Sequence, residues 1–228
     1  MYTNILASLA RLSKKISRKK IFNNLDYWLQ KKNIKKAKYC LNIGAGGEIE
    51  KYLIANEIAF KSVDIDIKRK PDIVADICKM NMIPDSSIQV IFLLEVLEHV
   101  KQPQKALKEM HRILEDDGII IASTPFILGI HDAPYDYYRY TKYGIQYLFR
   151  NFEELEIKER NSLPEACICL LFRLYNVGSG KTKLTATILS PIFLFFLILA
   201  LMSSHFLNHP EVTTGYFYVF RKSEGKKY

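Results

Sequence analysis

Cysteine is scarce in this sequence of 228 residues, which has only Cys40, Cys78, Cys167 and Cys169. Four cysteines are too few for a dense disulfide framework, and they form no paired C-x-x-C zinc motif. Cys167 and Cys169 lie in an apolar run with no histidine nearby, which argues against a metal site. We therefore expect reduced thiols and no bound metal.

The sequence also lacks the features of a secretory signal. Its first ten residues are mildly apolar, but no basic segment precedes them and no small-residue cleavage site follows. Apolar residues make up 49% of the chain, enough for the core of one α/β domain with extensions. We expect a cytoplasmic protein with one such domain.

Acidic residues are almost absent from the first 38 positions, which hold eleven Lys and Arg residues against Asp26 alone. The total net charge is +9, so the rest of the chain is nearly neutral. Apolar residues recur every three to five positions from Ile5 to Leu29, which predicts one or two amphipathic helices. This basic arm, residues 1–38, fits an anionic membrane or nucleic acid, and a solvated helix packed on the domain is the alternative.

After residue 38, short β-branched runs alternate with helical stretches, a pattern typical of a parallel sheet with crossover helices. The predicted strands are 39–43, 60–65, 73–75, 90–94, 119–123, 155–160 and 215–221. The predicted helices are 49–56, 103–114 and 142–151. The sequence therefore predicts a seven-stranded domain over residues 39–228, with an apolar insertion at about 164–210.

A glycine-rich turn, Gly44-Ala45-Gly46-Gly47, follows the first predicted strand. Glycines let the backbone approach a ligand closely, and the amides at the start of the next helix attract polar groups. The dinucleotide fingerprint G-x-G-x-x-G requires a glycine where this chain has Ile49. A nicotinamide cofactor is therefore disfavoured.

An acid lies where the ribose of a bound adenosine is expected. Asp66 follows Gly44 by 22 residues, the spacing at which an acid meets the ribose hydroxyls, and Asp64 is the competing candidate. Either acid has an alternative role, which is to cap a loop or to pair with Lys68 or Arg69. The choice between the two acids stays open.

Two further motifs follow strands of the predicted sheet, Asp76-Ile77 after the third and Leu94-Glu95 at the end of the fourth. The carboxyl ends of the strands in a doubly wound sheet line one ligand crevice. We therefore expect these loops to converge with the glycine-rich turn on a single site.

In their order along the chain, these motifs resemble those of the type 11 class I methyltransferases. The matching segments are 44–47, 63–66, 76–77, 95–100 and 112–118. Residues 124–126, Thr-Pro-Phe, followed by residues 131–141 with the pattern His-Asp-x-Pro-x-Asp-Tyr-x-Arg-x-Thr, resemble a subset of that family associated with bacterial surface-polysaccharide gene clusters. The resemblance covers about residues 39–161 and the last strand.

The family resemblance implies an α/β fold, a Rossmann-like, doubly wound sheet of seven strands with the last strand antiparallel. It also implies S-adenosyl-L-methionine as the cofactor. By position, it assigns the methionine part to Gly44, Ala45 and Gly46, the ribose to Asp66, the adenine edge to Asp76 and Ile77, and the sulfonium side to Leu94 and Glu95. Glu48 departs from the third glycine common in the first motif, and residues 115–118 depart from the usual Pro-Gly-Gly turn.

His131 and Asp132 follow the fifth predicted strand on the crevice side. They are candidates for a general base or for substrate contact, because a methyl acceptor must often lose a proton. Their alternative role is to form loop-structuring hydrogen bonds together with Asp136 and Arg139. We expect His99 to be structural.

Charged residues are missing altogether from residues 184–207, a stretch rich in Leu, Ile and Phe that Pro191 interrupts. The length suffices to cross a bilayer, yet a single crossing would separate the last strand from its sheet. An interfacial helix or a hairpin is therefore predicted, with a buried helix or a dimer interface as the alternative. Together with residues 1–38, this segment predicts peripheral contact with the inner face of the membrane.

These observations predict an enzyme that transfers methyl to oxygen or nitrogen of a small molecule, a glycan precursor or a lipid-linked acceptor. The rival hypothesis is a catalytically silent methyltransferase-like module that binds membrane or partner proteins. RNA methylation is supported by the basic arm alone, so no nucleic acid partner is expected. The oligomeric state stays open.

Overall fold

A computed structural model describes residues 2–167, 169–170, 180, 184–185, 188, 191–192, 194–195, 198–199, 202 and 211–223, with the backbone alone for 2–14 and 19. Much of the predicted insertion at 164–210 therefore lies outside the described residues. Within them, no helix combines the length and the apolar content that a membrane crossing requires.

The described helices are α1 (Tyr2–Lys31), α2 (Gly47–Ala55), α3 (Pro103–Ile113) and α4 (Lys142–Leu148). The strands are β1 (Cys40–Ile43), β2 (Lys61–Asp64), β3 (Ile73–Val74), β4 (Ile88–Leu94), β5 (Leu114–Pro125), β6 (Glu153–Glu159) and β7 (Gly215–Arg221). They form one sheet in the order β3-β2-β1-β4-β5-β7-β6. The prediction of a doubly wound, seven-stranded sheet is confirmed.

The strands β1 to β5 are parallel to one another, because β1 pairs with β2 and β4, β2 pairs with β3, and β4 pairs with β5 in parallel register. In contrast, β7 runs antiparallel to β5, because Lys222 pairs with Gly118 at one end and Thr214 with Phe126 at the other. The switch of strand order lies at β1 and β4, whose carboxyl ends therefore form the ligand crevice of such a sheet.

Burial explains why these segments form strands and helices. Every residue of β1 is buried, and Ile91, Phe92 and Leu93 of β4 have no exposed surface, as expected for strands covered on both faces. The helix α3 begins with Pro103, a residue suited to a first helical turn, and buries a stripe of apolar side chains. The core of the domain therefore lies on the central strands.

The chain forms two compact units. The first unit comprises residues 1–23, 126–131 and 159–216, and the second comprises 24–125, 132–158 and 217–228. In the first unit, the Asn161 side chain donates to the carbonyl of Ile16 and accepts from the amide and the hydroxyl of Thr214. The second unit contains the central strands and all the loops predicted to hold the cofactor.

Candidate active site

The glycine-rich turn that follows β1 has positive φ angles, a backbone conformation that is unfavourable for residues with a Cβ atom. Gly44 has φ +89°, and its amide donates to the carbonyl of Val63 at 2.8 Å. A Cβ at Gly44 would lie 2.7 Å from Cγ2 of Val96, and Gly46 also has a positive φ of 79°. Only glycine permits this close approach between the turn and the loop after β4.

Asp64, at the end of β2, ties the second loop to the glycine-rich turn. One carboxylate oxygen accepts from the amide of Ala45 at 2.9 Å, and the other accepts from the amide of Asp66 at 2.8 Å. The Arg69 guanidinium lies 3.7 Å from the same carboxylate. Asp64 is thus fixed directly beside the turn.

Asp66, the acid predicted to meet the ribose, is exposed. Its carboxylate accepts from the amide of Lys68 at 2.9 Å and so caps the short 3-10 helix Ile67–Arg69. Of the two alternative roles that the sequence suggested for these acids, Asp66 therefore caps a loop helix and Asp64 pairs with Arg69.

The loops after β3 and β4 complete the same edge of the sheet. Asp76 accepts from the amide of Cys78 at 2.8 Å, and Ile77 is buried with 8% of its surface exposed. Glu95 has φ +59°, and its carboxylate accepts from the Ser123 hydroxyl at 2.9 Å. A glutamate rarely adopts this left-handed backbone, a conformation that concentrates at functional turns.

Carboxylates dominate this edge, which carries Glu48, Glu50, Asp64, Asp66, Asp76 and Glu95. The two acids in the first turn of α2 offset the partial positive charge of the helix start, so the turn suits a cation better than a pyrophosphate. S-adenosylmethionine carries a sulfonium, an ammonium and one carboxylate, a net charge of +1. The residues present therefore fit this cofactor.

Hydrogen bonds hold residues 135–140 against residues 97–101, which follow β4. The Glu98 carbonyl accepts from the amides of Tyr137 and Tyr138 at 2.9 and 3.2 Å. The remaining bonds run from the hydroxyl of Tyr138 to the Lys101 carbonyl at 3.0 Å, from the hydroxyl of Tyr140 to the Leu97 carbonyl at 3.3 Å, and from Nδ1 of His99 to the Tyr135 carbonyl at 2.7 Å. We call this set of contacts the tyrosine clasp.

The tyrosine clasp fixes the proton position on His99. A carbonyl oxygen only accepts, so Nδ1 of His99 carries the proton. Nε2 then faces two carboxylates, those of Glu98 at 3.9 Å and Asp132 at 4.0 Å. Local sequence offers no signal for this arrangement, because 36 positions separate His99 from Tyr135.

Glu98 is a fully buried carboxyl group beneath the clasp. Burial raises its pKa to about 7, although the nearby His99 and Arg139 oppose that shift. The negative charge of Asp136 also raises the pKa of Glu98. Arg139 donates two hydrogen bonds of 2.6 Å to the carboxylate of Asp136. The pairing between Asp136 and Arg139 that the sequence suggested is therefore present.

The two predicted acceptor-side residues fall in different units. Asp132, in the second unit, has φ +51° and a side chain that is 73% exposed. Its carbonyl accepts from the amide of Tyr135 at 3.1 Å. His131, in the first unit, is half-buried. The roles predicted for these two residues stay predictions.

Residues 39–122 match the family model of the methyltransferase domain. This match, together with the folds of the solved methyltransferases that resemble the chain, indicates an S-adenosylmethionine-dependent methyltransferase. The matched segment contains the glycine-rich turn, Asp64, Asp66, Asp76 and Glu95, so the family motifs and the convergent loops coincide. The resemblance to the methyltransferase domain family is confirmed over residues 39–122, as are the cofactor, S-adenosyl-L-methionine, and the enzyme class. The family subset that residues 131–141 resemble stays a prediction.

Solved structures share the fold at low sequence identity. A methyltransferase from Archaeoglobus fulgidus gives a TM-score of 0.57 at 16% identity, covering 88% of this chain and 94% of its own. The Haemonchus contortus phosphoethanolamine N-methyltransferase 2, in complex with S-adenosylhomocysteine, gives 0.55 at 14% identity, covering 89% and 53%. No curated protein sequence matches the chain.

The same fold also serves other chemistry. The cyclase SpnF gives a TM-score of 0.52 at 12% identity, covering 95% of this chain and 81% of its own. Similarity of fold alone therefore leaves the acceptor of this methyltransferase undetermined.

Proposed function

We propose that this enzyme transfers a methyl group to an oxygen or nitrogen of a small molecule, a glycan precursor or a lipid-linked acceptor. The bound cofactor supplies an electrophilic methyl group, so the protein has to align the acceptor and receive its proton. The observation that carries this proposal is the junction of three loops, at which Asp64 bonds the glycine-rich turn and Val96 packs against Gly44.

The cofactor contacts follow from the placement of these loops. We assign the methionine part to Gly44, Ala45 and Gly46, and the sulfonium side to Leu94 and Glu95. Close backbone approach at the turn and the carboxylate of Glu95 support these assignments.

The adenosine part is assigned to the loops after β2 and β3. Asp66 is the proposed ribose ligand, with Asp64 as the competing acid, and the adenine edge is assigned to Asp76 and Ile77. Burial of Ile77 supports an apolar surface for the base. The exposed carboxylate of Asp66 supports its availability for ribose hydroxyls.

The acceptor side is assigned to residues 131–140. His131 and Asp132 stay our candidates for the base or for substrate contact. The position of the Asp132 carboxylate 4.0 Å from Nε2 of His99 supports a route by which a proton reaches solvent. A lipid-linked acceptor would bring this cytoplasmic enzyme to the inner face of the membrane, with peripheral contact through residues 1–38 and 184–207.

Calorimetric titration with S-adenosylmethionine and S-adenosylhomocysteine tests the cofactor site. We expect micromolar binding that Asp66→Ala or Asp64→Ala weakens, since each removes a carboxylate from the loop after β2. Asp116→Ala is the matched control, because Asp116 lies near the start of β5, away from the carboxyl ends of the parallel strands. If the folded wild type binds neither ligand, the catalytically silent module becomes the better account.

The second stage of the experiment measures release of S-adenosylhomocysteine with nucleotide sugars, lipid-linked saccharides and small amines as acceptors. Turnover with one class and none with the others identifies the acceptor. Tight cofactor binding without turnover on any class would contradict the enzymatic proposal and favour the silent module.

A further inference from the structure

Large apolar side chains are exposed along the helical residues described between positions 184 and 202. The six that carry the argument are Leu184 (63% exposed), Ile188 (66%), Ile192 (56%), Leu194 (46%), Ile198 (49%) and Met202 (78%). All six have helical backbone. In the sequence, the spacing of these six positions is the one that places apolar residues on one face of an amphipathic helix at 3.6 residues per turn. We call this set the apolar stripe.

The apolar stripe belongs to the unit that holds most of the positive charge. The residues of the first unit include ten Lys and Arg and only three acids, a net charge of +7 out of +9 for the whole chain. The second unit, which holds the cofactor loops, has the remaining +2. The positive charge therefore accompanies the apolar stripe and not the catalytic loops.

Lys15 and Lys20 show that this charge is accessible. Lys15 is exposed, and the side chain of Lys20 is 45% exposed while it lies 3.7 Å from Glu165. Exposed apolar residues together with a net positive charge are the combination that amphipathic helices use to lie in the headgroup region of anionic bilayers.

We infer that the first unit docks on an anionic lipid bilayer, with the apolar stripe lying in the plane of the membrane and Lys15 and Lys20 contributing to headgroup attraction. A second copy of this chain fits less well, because an isologous pairing of the stripes would bring two units of charge +7 together. RNA would satisfy the charge but would offer the apolar side chains no apolar surface. This inference deepens the peripheral membrane contact of the proposed function by naming the lipid surface and the residues that meet it, and it holds for any methyl acceptor.

Sedimentation of the full-length protein with lipid vesicles tests this inference. Vesicles of phosphatidylcholine and phosphatidylglycerol at a ratio of about 3:1 are compared with pure phosphatidylcholine. We expect binding to the anionic vesicles, weakened by salt because of screening. The double variant Lys15→Gln/Lys20→Gln should weaken binding about 25-fold, at about fivefold for each charge near the surface.

The apolar contribution is tested with Ile188→Asp/Ile198→Asp, which should weaken vesicle binding by at least about tenfold. The controls are Ile54→Asp and Lys51→Gln/Lys108→Gln, exposed residues of the same types in the second unit that should bind vesicles as the wild type does. Calorimetric titration with S-adenosylhomocysteine, run on every variant, reports the folded cofactor site separately.

Three results would overturn the inference. The first is failure of the wild type to sediment with anionic vesicles. The second is equal loss of vesicle binding in the control and stripe variants. The third is a wild-type dimer, seen by light scattering, that Ile188→Asp/Ile198→Asp converts to a monomer, which would assign the stripe to a second copy. None of these results bears on cofactor binding, so the two proposals can fail independently.

Discussion

At the residue scale, Gly44 is the position where one added methyl group should impair both cofactor binding and stability. Gly44→Ala places a Cβ 2.7 Å from Val96 Cγ2 at a φ of +89°. We expect loss of S-adenosylhomocysteine binding and a decrease of at least about 1–2 kcal/mol in the free energy of unfolding. Calorimetry and urea denaturation measure the two effects.

Gly129→Ala is the matched control for this prediction. A Cβ at Gly129 meets nothing within 4 Å, so both properties should stay at wild-type values. Equal cofactor affinity in Gly44→Ala and wild type would contradict the placement of the ligand against the glycine-rich turn.

Glu98 is the residue whose ionisation should shape the pH dependence of stability. Burial raises its pKa from an ordinary value of 4.5 to about 7, so between these values the folded protein binds more protons than the unfolded chain. Stability from this group is therefore complete below about pH 4.5 and falls as the pH rises to about 7, by at most about 3 kcal/mol.

Glu98→Gln retains the shape of the side chain and removes its ionisation. We expect the free energy of unfolding of the variant, measured by urea denaturation from pH 5 to pH 8, to decline less with pH than that of the wild type. Parallel curves for the two proteins would show that Glu98 ionises in the folded state as it does in the unfolded state.

At the scale of elements, α1 is more than a basic arm. Its final turns bury Leu25, Trp28 and Leu29, and Nε1 of Trp28 donates to the carboxylate of Glu156 on β6 at 2.7 Å. We expect Trp28→Ala to lower the free energy of unfolding by about 3–5 kcal/mol through lost packing. Tyr27→Ala, at a neighbouring residue that is 47% exposed, should cost much less, and urea denaturation followed by circular dichroism measures both variants.

The strands also show which element bounds the sequence patterns predict and which they miss. The apolar runs predicted β1 and β4 because both strands are buried on both faces, and β7 was predicted at its observed bounds, Gly215–Arg221. The start of β5 was placed at 119, whereas the strand begins at Leu114. Residues 115–117 look like a turn in sequence, but Asp117 donates its amide to the carbonyl of Lys222, a contact that only the folded chain reveals.

In the candidate site, too, local motifs were predictable from the sequence and contacts between distant residues were not. The glycine-rich turn and the acids after β2 and β3 were predictable, because each of these motifs consists of a few adjacent residues directly after a predicted strand. The tyrosine clasp was not, since it joins Leu97–His99 to residues near 137 through carbonyl groups that every residue carries. Likewise, the bond between Ser123 and Glu95 depends on the pairing of β4 with β5.

At the scale of the whole molecule, cofactor binding and stability are linked. The predicted cofactor-binding residues all lie in the second unit, so S-adenosylhomocysteine should stabilise the unfolding transition that includes this unit. At a hundredfold excess over its dissociation constant, a ligand adds about 2.7 kcal/mol of stability. Differential scanning calorimetry should show a higher midpoint for wild type and no change for Gly44→Ala.

The burial of Trp28 has an optical consequence. It is the one tryptophan in the sequence, it is 2% exposed, and the ammonium of Lys31 lies 4.6 Å from its ring centre. Intrinsic fluorescence excited at the red edge of protein absorption therefore originates from a single buried indole with the Lys31 ammonium over its ring. The emission of Trp28 therefore reports, without any attached dye, whether the end of α1 stays packed on the protein.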